Sequence, residues 1–241
     1  MLQTRKEIIK ELRNEILFLQ GGSHPIKEMA VNIELGPINA AFADKSLQLG
    51  TIHEFLTSRP QTTAATGGFI SAILSSIMPV NGAVLWIRQK PGVFPAGLAS
   101  FGIDPDKIIF IYLRQPKQLL WCVEEALKSN ALSAVVAELP GLDFNSSRRL
   151  QLAAANHSTT CFIQHPPVST PTICGARWKI TPLPSGHADD LPGVGFPRWN
   201  VELLKVRGGQ TGVWQVEWDG KTLRNIAKQS FITAHEQKRA V

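Results

Sequence analysis

Residues 51–78 read TIHEFLTSRPQTTAATGGFISAILSSIM, and this stretch decides the fold. Thr51 to Leu56 is a short run of β-forming residues, and Thr57 to Thr66 is a polar segment rich in Ser and Thr. Gly67 to Met78 then carries apolar residues at helical spacing, namely Phe69, Ile70, Ile73, Leu74 and Ile77. The stretch therefore predicts a strand, a loop and a helix in succession, as at the start of a parallel α/β domain.

The same alternation continues along the chain. Apolar runs predict four more strands, at Ala83 to Ile87, Ile108 to Tyr112, Ala134 to Leu139 and Thr159 to Gln164. Helical patterns lie between them, at Ala96 to Phe101, Gln115 to Lys128 and Ser146 to Ala155. Apolar strands that alternate with helices predict a mostly parallel sheet with helices on both faces.

The last third of the chain changes character. It contains three strand-like runs without helices between them, at Arg177 to Ile180, Arg198 to Val206 and Val213 to Trp218. The loop Pro182 to Pro197 and the turn Gly208 to Gly212 connect them. We therefore predict an antiparallel extension of the α/β core, with Trp214 and Trp218 in its interior.

Thr4 to Gln20 carries an apolar stripe that predicts an amphipathic N-terminal helix, and Gly21-Gly22 ends it. The helix either folds back onto its own domain or docks on a neighbouring subunit or partner, and the sequence leaves both open. The candidate contact residues are Ile8, Leu12 and Ile16. The predicted organisation is a helix at 1–20, an irregular connector with one short helical turn at 21–48, a core domain at 49–219 and a basic, partly helical tail at 220–241.

Composition narrows the class of protein. The 241 residues are 44% hydrophobic with a formal net charge of +6, which suits one globular domain and allows an acidic partner such as nucleic acid. Cys122, Cys161 and Cys174 lie far apart, without metal-ligand spacing, so neither a disulfide framework nor a zinc site is expected. No stretch approaches the roughly 18 apolar residues of a membrane span, and we expect a cytoplasmic protein without a membrane partner.

The loop after the first strand lacks the features of a nucleotide site. A phosphate loop needs glycines, a lysine for charge and a hydroxyl for magnesium, and residues 57–68 contain no lysine. Gly67 and Gly68 are expected to permit a close backbone approach at a helix N-terminus. One acid, Glu138, ends the strand where a magnesium ligand would stand, and we interpret it as structural or solvated. The strand Ala83 to Ile87 does not end in an acid that could activate water, because Arg88, Gln89 and Lys90 follow it.

No other catalytic set replaces these parts. The six histidines are scattered, and no G-x-S-x-G or H-E-x-x-H motif occurs. His53 and Glu54 are neighbours on a strand and should point to opposite faces. We therefore expect no catalytic residue, cofactor or metal, and no ATPase activity.

Five strings carry a resemblance to a known family: TIHEFL (51–56), FGIDPDK (101–107), WCVEEAL (121–127), SRRLQLA (147–153) and PRWNVELLKVRGG (197–209). Together with the order of elements, they resemble the ImuA family, RecA-like accessory proteins of bacterial mutagenic translesion repair. The resemblance covers residues 49–219. It implies a RecA-like fold with an eroded nucleotide site and a role in the SOS response to DNA damage.

The resemblance also implies partners. These are an ImuB-like homologue, which is an inactive relative of the Y-family lesion-bypass polymerases, and an error-prone C-family polymerase. RecA itself, a second copy of the chain, and DNA held through its phosphates are further candidates.

Three RecA features can be placed on this sequence. Gln164 matches the glutamine that senses nucleotide, and we interpret it here as capping a strand. Lys205 and Arg207 match the basic pair that RecA directs at a neighbouring subunit's ATP, and residues two apart on a strand share a face. A DNA or partner contact and a solvated basic edge remain open for this pair. His165 to Gly175 stands where RecA carries a DNA-binding loop but has no lysine or arginine, which argues against RecA-style filaments on DNA.

A function of another class is a SulA-like cell-division inhibitor that binds a tubulin-like GTPase. SulA also resembles RecA without a nucleotide site. The N-terminal helix and the C-terminal strands favour the ImuA interpretation, and the segment Thr57 to Thr66 argues against an active recombinase ATPase.

Overall fold

The computed structural model describes residues 33, 35–78, 82–129, 131–186 and 195–226. The predicted N-terminal helix, with Ile8, Leu12 and Ile16, lies outside the described residues, as does the tail from residue 227 onward.

The chain first alternates strands with helices. The elements are β1 (Ile52–Leu56), α1 (Pro60–Ile77), β2 (Ala83–Arg88), α2 (Pro95–Leu98), β3 (Ile108–Tyr112), α3 (Pro116–Leu127), β4 (Leu132–Glu138), α4 (Phe144–His157) and β5 (Thr160–His165). Four strands follow without intervening helices: β6 (Ala176–Gly186), β7 (Phe196–Val206), β8 (Gly212–Trp218) and β9 (Leu223–Asn225). Short 3-10 helices cover Gly36–Ala41, Ala99–Phe101 and Pro105–Lys107.

The strands form one nine-stranded sheet in the order β3-β2-β4-β5-β1-β6-β7-β8-β9. The six strands from β3 to β6 in this order pair in parallel, and β6, β7, β8 and β9 pair antiparallel. This confirms the predicted α/β class with a C-terminal antiparallel extension.

Helices cover the sheet, and two apolar clusters form the core. On one face α1 packs over large aromatic side chains, among them Phe55, Trp178 and Trp214. On the other face α3 and α4 pack over Cys161 and Ile163 of β5. Because successive strand residues point to opposite faces, β5 contributes Phe162 to the first cluster and its two neighbours to the second. Trp214 and Trp218 are buried, as predicted.

The predicted connector is part of the core. Its described residues form the expected short helical turn, the 3-10 helix Gly36–Ala41, and bury Ile38 and Phe42 in the α1-side cluster. Gly36 has φ +57°, and a Cβ at this position would lie 2.0 Å from the carbonyl oxygen of Leu223. Only glycine allows the connector to approach β9 this closely.

Two predictions about the C-terminal third were wrong. The predicted loop Pro182 to Pro197 is partly strand, since β6 continues to Gly186 and Pro182 pairs with Trp199 of β7. Past Trp178, β6 has only β7 as a paired neighbour among the described strands, and proline is tolerated on a strand with one open side. The start of the predicted helical tail instead forms β9, because buried Leu223 pairs with Trp218.

None of the described helices is long and apolar enough to cross a membrane.

Candidate functional site

The carboxyl ends of β1, β2, β4 and β5 meet at one edge of the sheet beside a cavity of about 960 Å³. In open parallel sheets, ligands bind outside the carboxyl ends of the strands. Aromatic side chains line the cavity from the sheet and the loops, namely Trp86, Phe101 and Trp199. Arg59 and Lys90 add positive charge to its wall. The connection from β1 to α1, where the sequence lacks the lysine of a phosphate loop, lies in the wall of this cavity.

The connection from β1 to α1 is shorter than the sequence predicted. We expected a loop from Thr57 to Thr66, but α1 begins at Pro60 and leaves three connecting residues. Proline at the first helical position has its backbone angle already set for a helix, and Ala64 and Ala65 are strong helix formers. The side-chain hydroxyls of Thr62 and Thr63 donate to the carbonyl oxygen of Arg59 at 2.8 and 3.1 Å, so these threonines support the first turn.

This helix start is poorly suited to holding phosphate. Pro60 has no N–H to offer, and the N–H of Arg59 donates to Thr62 Oγ1 at 3.1 Å. The expected close backbone approach at Gly67 and Gly68 was wrong, because both lie inside α1 instead of at its N-terminus. A Cβ on Gly68 would lie 3.2 Å from Trp199 and 3.5 Å from Phe101, so this glycine makes room for aromatic packing.

A row of polar side chains crosses the sheet just inside this edge. Tyr112 of β3 is in register with Arg88 of β2, and Glu138 of β4 is in register with Gln164 of β5. A salt bridge of 3.0 Å between Arg88 Nη2 and Glu138 Oε2 joins the two halves of the row. The Arg88 and Glu138 side chains are 12% and 21% exposed.

Glu138 is therefore an ion-pair partner of Arg88 in this structure. Burial raises the pKa of the Glu138 carboxyl, and the charge of Arg88 opposes that rise. The arrangement agrees with the structural interpretation of Glu138. The sequence places Arg88 and Glu138 near the ends of two strands, but it did not predict that the two side chains pair.

Gln164 contributes an amide without a partner. The residue is 2% exposed and lines the cavity, and neither Oε1 nor Nε2 has a hydrogen-bond partner among the described residues. The backbone carbonyl of Gln164 accepts from the N–H of Leu139 at 2.8 Å, and β5 continues to His165. The side chain therefore does not cap the strand, contrary to the sequence interpretation.

The predicted basic pair lies elsewhere. Lys205 is near the end of β7, and Arg207 follows β7, in the turn, where its N–H donates to Gly175 O at 2.9 Å. The N–H of Gly175 in turn donates a hydrogen bond to the carbonyl oxygen of Ile52. Ile52 is at the amino end of β1, away from the cavity. The structure thus places the pair at the opposite end of the parallel strands from Gln164.

Hydrogen bonds within the described part of the protein occupy some of the side-chain donors of Lys205 and Arg207, but not all of them. The exposed Lys205 donates from Nζ to the carbonyl oxygen of Thr172 at 3.3 Å, and Nη1 of the half-buried Arg207 has no partner in the described structure. Next to them, Arg177 Nε donates to the fully buried Glu54 at 2.9 Å. Glu54 and His53 point to opposite faces, as predicted, since His53 stacks on Phe162 of the α1-side cluster.

Burial shifts the pKa values of further titratable side chains among the described residues. Burial lowers the pKa of His53 to about 4 and raises that of the Cys174 thiol to about 12. Burial also raises the pKa of the Cys161 thiol. No group of three or more histidine, cysteine or acidic residues in the described ranges could hold a metal ion.

Comparison with known proteins gives the family. No family model matches the chain. The chain is 31% identical over 191 residues to Protein ImuA of Caulobacter vibrioides, with the same result for two strains of that bacterium. The alignment covers 73% of this chain and 78% of the relative. The chain therefore belongs to the ImuA family.

Proposed function

We propose that the protein is a non-catalytic, RecA-like scaffold in SOS-induced translesion DNA synthesis. Membership of the ImuA family and the α/β fold with its antiparallel extension support a role in mutagenic DNA damage tolerance. In this role the protein binds an inactive Y-family polymerase homologue of the ImuB type and an error-prone C-family polymerase. It works in the cytoplasm and uses no cofactor. RecA and a second copy of the chain are further candidate partners.

The start of α1 is the observation that carries the proposal. Phosphoryl transfer depends on a lysine and a magnesium ion placed around the phosphates. Residues 57–68 have no lysine, and the first helical position is Pro60, which cannot donate a hydrogen bond. Glu138, the acid nearest the expected magnesium position, pairs with Arg88. These features support the absence of ATP hydrolysis, although Arg59 and Lys90 line the cavity.

Calorimetric titration with ATP and magnesium, beside a phosphate-release assay, tests the absence of catalysis. We expect neither tight binding nor turnover, with an active RecA protein as the positive control. Tight binding together with measurable phosphate release would contradict the proposal.

The partners require a second experiment. Full-length protein is mixed in turn with the purified ImuB-like homologue, the C-family polymerase and the tubulin-like GTPase of the same bacterium. We expect stable complexes with one or both polymerase-type partners and none with the GTPase. A complex with the GTPase alone, together with inhibition of its assembly, would favour the SulA-like alternative.

We also assign partner contact to the stripe of Ile8, Leu12 and Ile16 in the N-terminal segment. An amphipathic helix that presents an apolar stripe is a common way to dock in the groove of another protein. In this proposal the pair Gly21-Gly22 serves as a hinge between the segment and the rest of the chain.

A further inference from the structure

The outer edge of the sheet ends in an ordered stack of aromatic rings. Trp86 of β2 stacks on Phe110 of β3 with ring centroids 6.2 Å apart and planes inclined by 27°. Phe110 in turn stacks on Tyr112 with centroids 6.4 Å apart and planes within 7° of parallel. Trp86 is fully buried, whereas Tyr112 is 44% exposed. The stack therefore leads from the core to the Tyr112 ring, which is accessible to solvent. The Phe110 ring stacked on its inner side helps to fix its orientation.

The surroundings of Tyr112 are basic. A second cavity, of about 710 Å³, lies beside the carboxyl ends of β2 and β3 and is lined by Gln89, Lys90, Pro91, Tyr112 and Arg114. None of these lining residues is acidic. Lys90 and Arg114 are exposed, and neither forms an ion pair with any acid in the described part of the chain.

The loops that carry these charges are fixed to one another. The side-chain amide of Gln89 donates to the carbonyl oxygen of Arg114 at 3.2 Å, and the N–H of Leu113 donates to Arg88 O at 3.0 Å. These bonds tie the segment after β2 to the segment after β3, and both Lys90 and Arg114 line the cavity that Tyr112 lines. Glu138, the acid in the polar row that contains Arg88 and Tyr112, is already paired with Arg88.

A half-exposed ring with unpaired cations beside it matches the chemistry of a nucleotide whose base is not paired. Bases stack on aromatic side chains whatever their sequence, and cations track the phosphates that connect them. A base in a duplex has both faces covered and cannot extend the stack. A protein partner would instead have to place acidic groups against Lys90 and Arg114.

We propose that Tyr112, Lys90 and Arg114 form a binding site for single-stranded nucleic acid, with one base stacked on Tyr112 and flanking phosphates at the two cations. We call these three residues the edge platform. It lies at the outer strand of the sheet, far in the strand order from β7, where Lys205 stands. The inference does not depend on the scaffold role, because loss of nucleic-acid binding would leave the capture of protein partners unchanged.

Fluorescence anisotropy of the full chain with a labelled oligothymidylate of roughly 12 nucleotides tests the edge platform. We expect Tyr112→Ala to weaken binding by roughly 5- to 150-fold, the range for loss of one stacked base. Tyr112→Phe keeps the ring and should bind like the wild type. Lys90→Ala plus Arg114→Ala should lower the slope of log affinity against log salt by about 0.7 for each lost phosphate contact.

Matched controls separate the site from general charge. Arg148→Ala plus Lys221→Ala removes the same charge from two exposed positions, on α4 and beyond β8, and should leave affinity unchanged. Circular dichroism and thermal unfolding of each variant establish that it is folded. Duplex DNA of the same length should bind more weakly than the single strand, and Tyr112→Ala should not affect that binding.

The sequence offers a direct probe, because Tyr112 is the only tyrosine in the chain. Protein labelled with a fluorotyrosine gives a single fluorine NMR signal, and oligothymidylate should shift it. An unchanged signal at saturation, or equal affinity of Tyr112→Ala and the wild type, would overturn the proposal. The control pair weakening binding as much as the Lys90 and Arg114 pair would also overturn it, as would no detectable binding at low salt.

Discussion

Replacing Arg88 by methionine tests whether the carboxyl edge is held as a structural ion pair. Methionine keeps much of the length of arginine and removes its charge, so Glu138 loses the partner that lies 3.0 Å away. Removing one member of a buried pair costs about 3–5 kcal/mol. Because the Glu138 side chain is 21% exposed and faces a cavity that water can enter, we expect a loss of about 2–3 kcal/mol in the free energy of unfolding at pH 7.

The loss should depend on pH in a defined direction. Burial already raises the pKa of Glu138, and removing Arg88 raises it further because the opposing charge is gone. A carboxyl whose pKa is higher in the folded protein than in the unfolded chain destabilises the fold once the pH exceeds the unfolded value, here 4.5. The gap between wild type and Arg88→Met should therefore shrink as the pH falls from 8 toward that value.

Urea unfolding followed by circular dichroism at several pH values measures both effects. The second variant is Arg88→Met plus Glu138→Gln, which removes the buried charge as well. We expect the double variant to recover most of the stability at pH 7 and to lose the added pH dependence. If the double variant is no more stable than the single one, or if the loss does not vary with pH, the ion-pair account is refuted.

Three further predictions concern other parts of the chain. Burial lowers the pKa of His53 from 6.5 to about 4, so the free energy of unfolding should decrease by about 1.4 kcal/mol for each unit by which the pH falls from 6.5 to 4. His53→Phe should weaken this pH dependence in urea unfolding, and an unchanged pH profile would contradict the prediction. Deleting residues 1–20 should change the oligomeric state measured by light scattering or weaken capture of a polymerase-type partner. An unchanged oligomer with unchanged partner capture would mean that the helix covers only its own core. Lys205→Ala plus Arg207→Ala should weaken sequence-independent DNA binding in fluorescence anisotropy and lower the slope of log affinity against log salt by about one per lost phosphate contact. Loss of partner capture with unchanged DNA binding would instead assign the pair to a protein interface. No effect on either kind of binding would mean that the pair is a solvated basic edge.

Periodicity predicted the alternation of elements because buried strands are apolar throughout and the helices between them have one apolar face. The strand Ile108 to Tyr112 was predicted with the bounds that the structure has. The predicted start of α1 was too late, because Ser and Thr are common in loops as well as in the first turn of a helix. Pro60 at the first helical position and the threonine hydroxyls bonded to Arg59 O are compatible with a helix in the same residues.

The arrangement of the candidate site could not be predicted in the same way. Its polar row joins β3, β2, β4 and β5, which are neighbours in space in an order that differs from their order in the chain. Local patterns place Arg88, Glu138 and Gln164 at strand ends but do not give the register that aligns them. The shared strand face predicted for Lys205 and Arg207 does not follow either, because β7 ends at Val206 and the alternation of a strand no longer applies to Arg207.

Binding of the purified ImuB-like homologue to the full chain, with and without ATP and magnesium, tests the central claim most directly. Light scattering of the mixture reports the complex in both conditions. We predict a stable complex whose amount is the same with and without the nucleotide, because in the proposed scaffold role the cavity beside Arg88 and Glu138 neither binds nor hydrolyses ATP. Failure to form a complex, or a complex that forms only when ATP is present, would contradict the scaffold account.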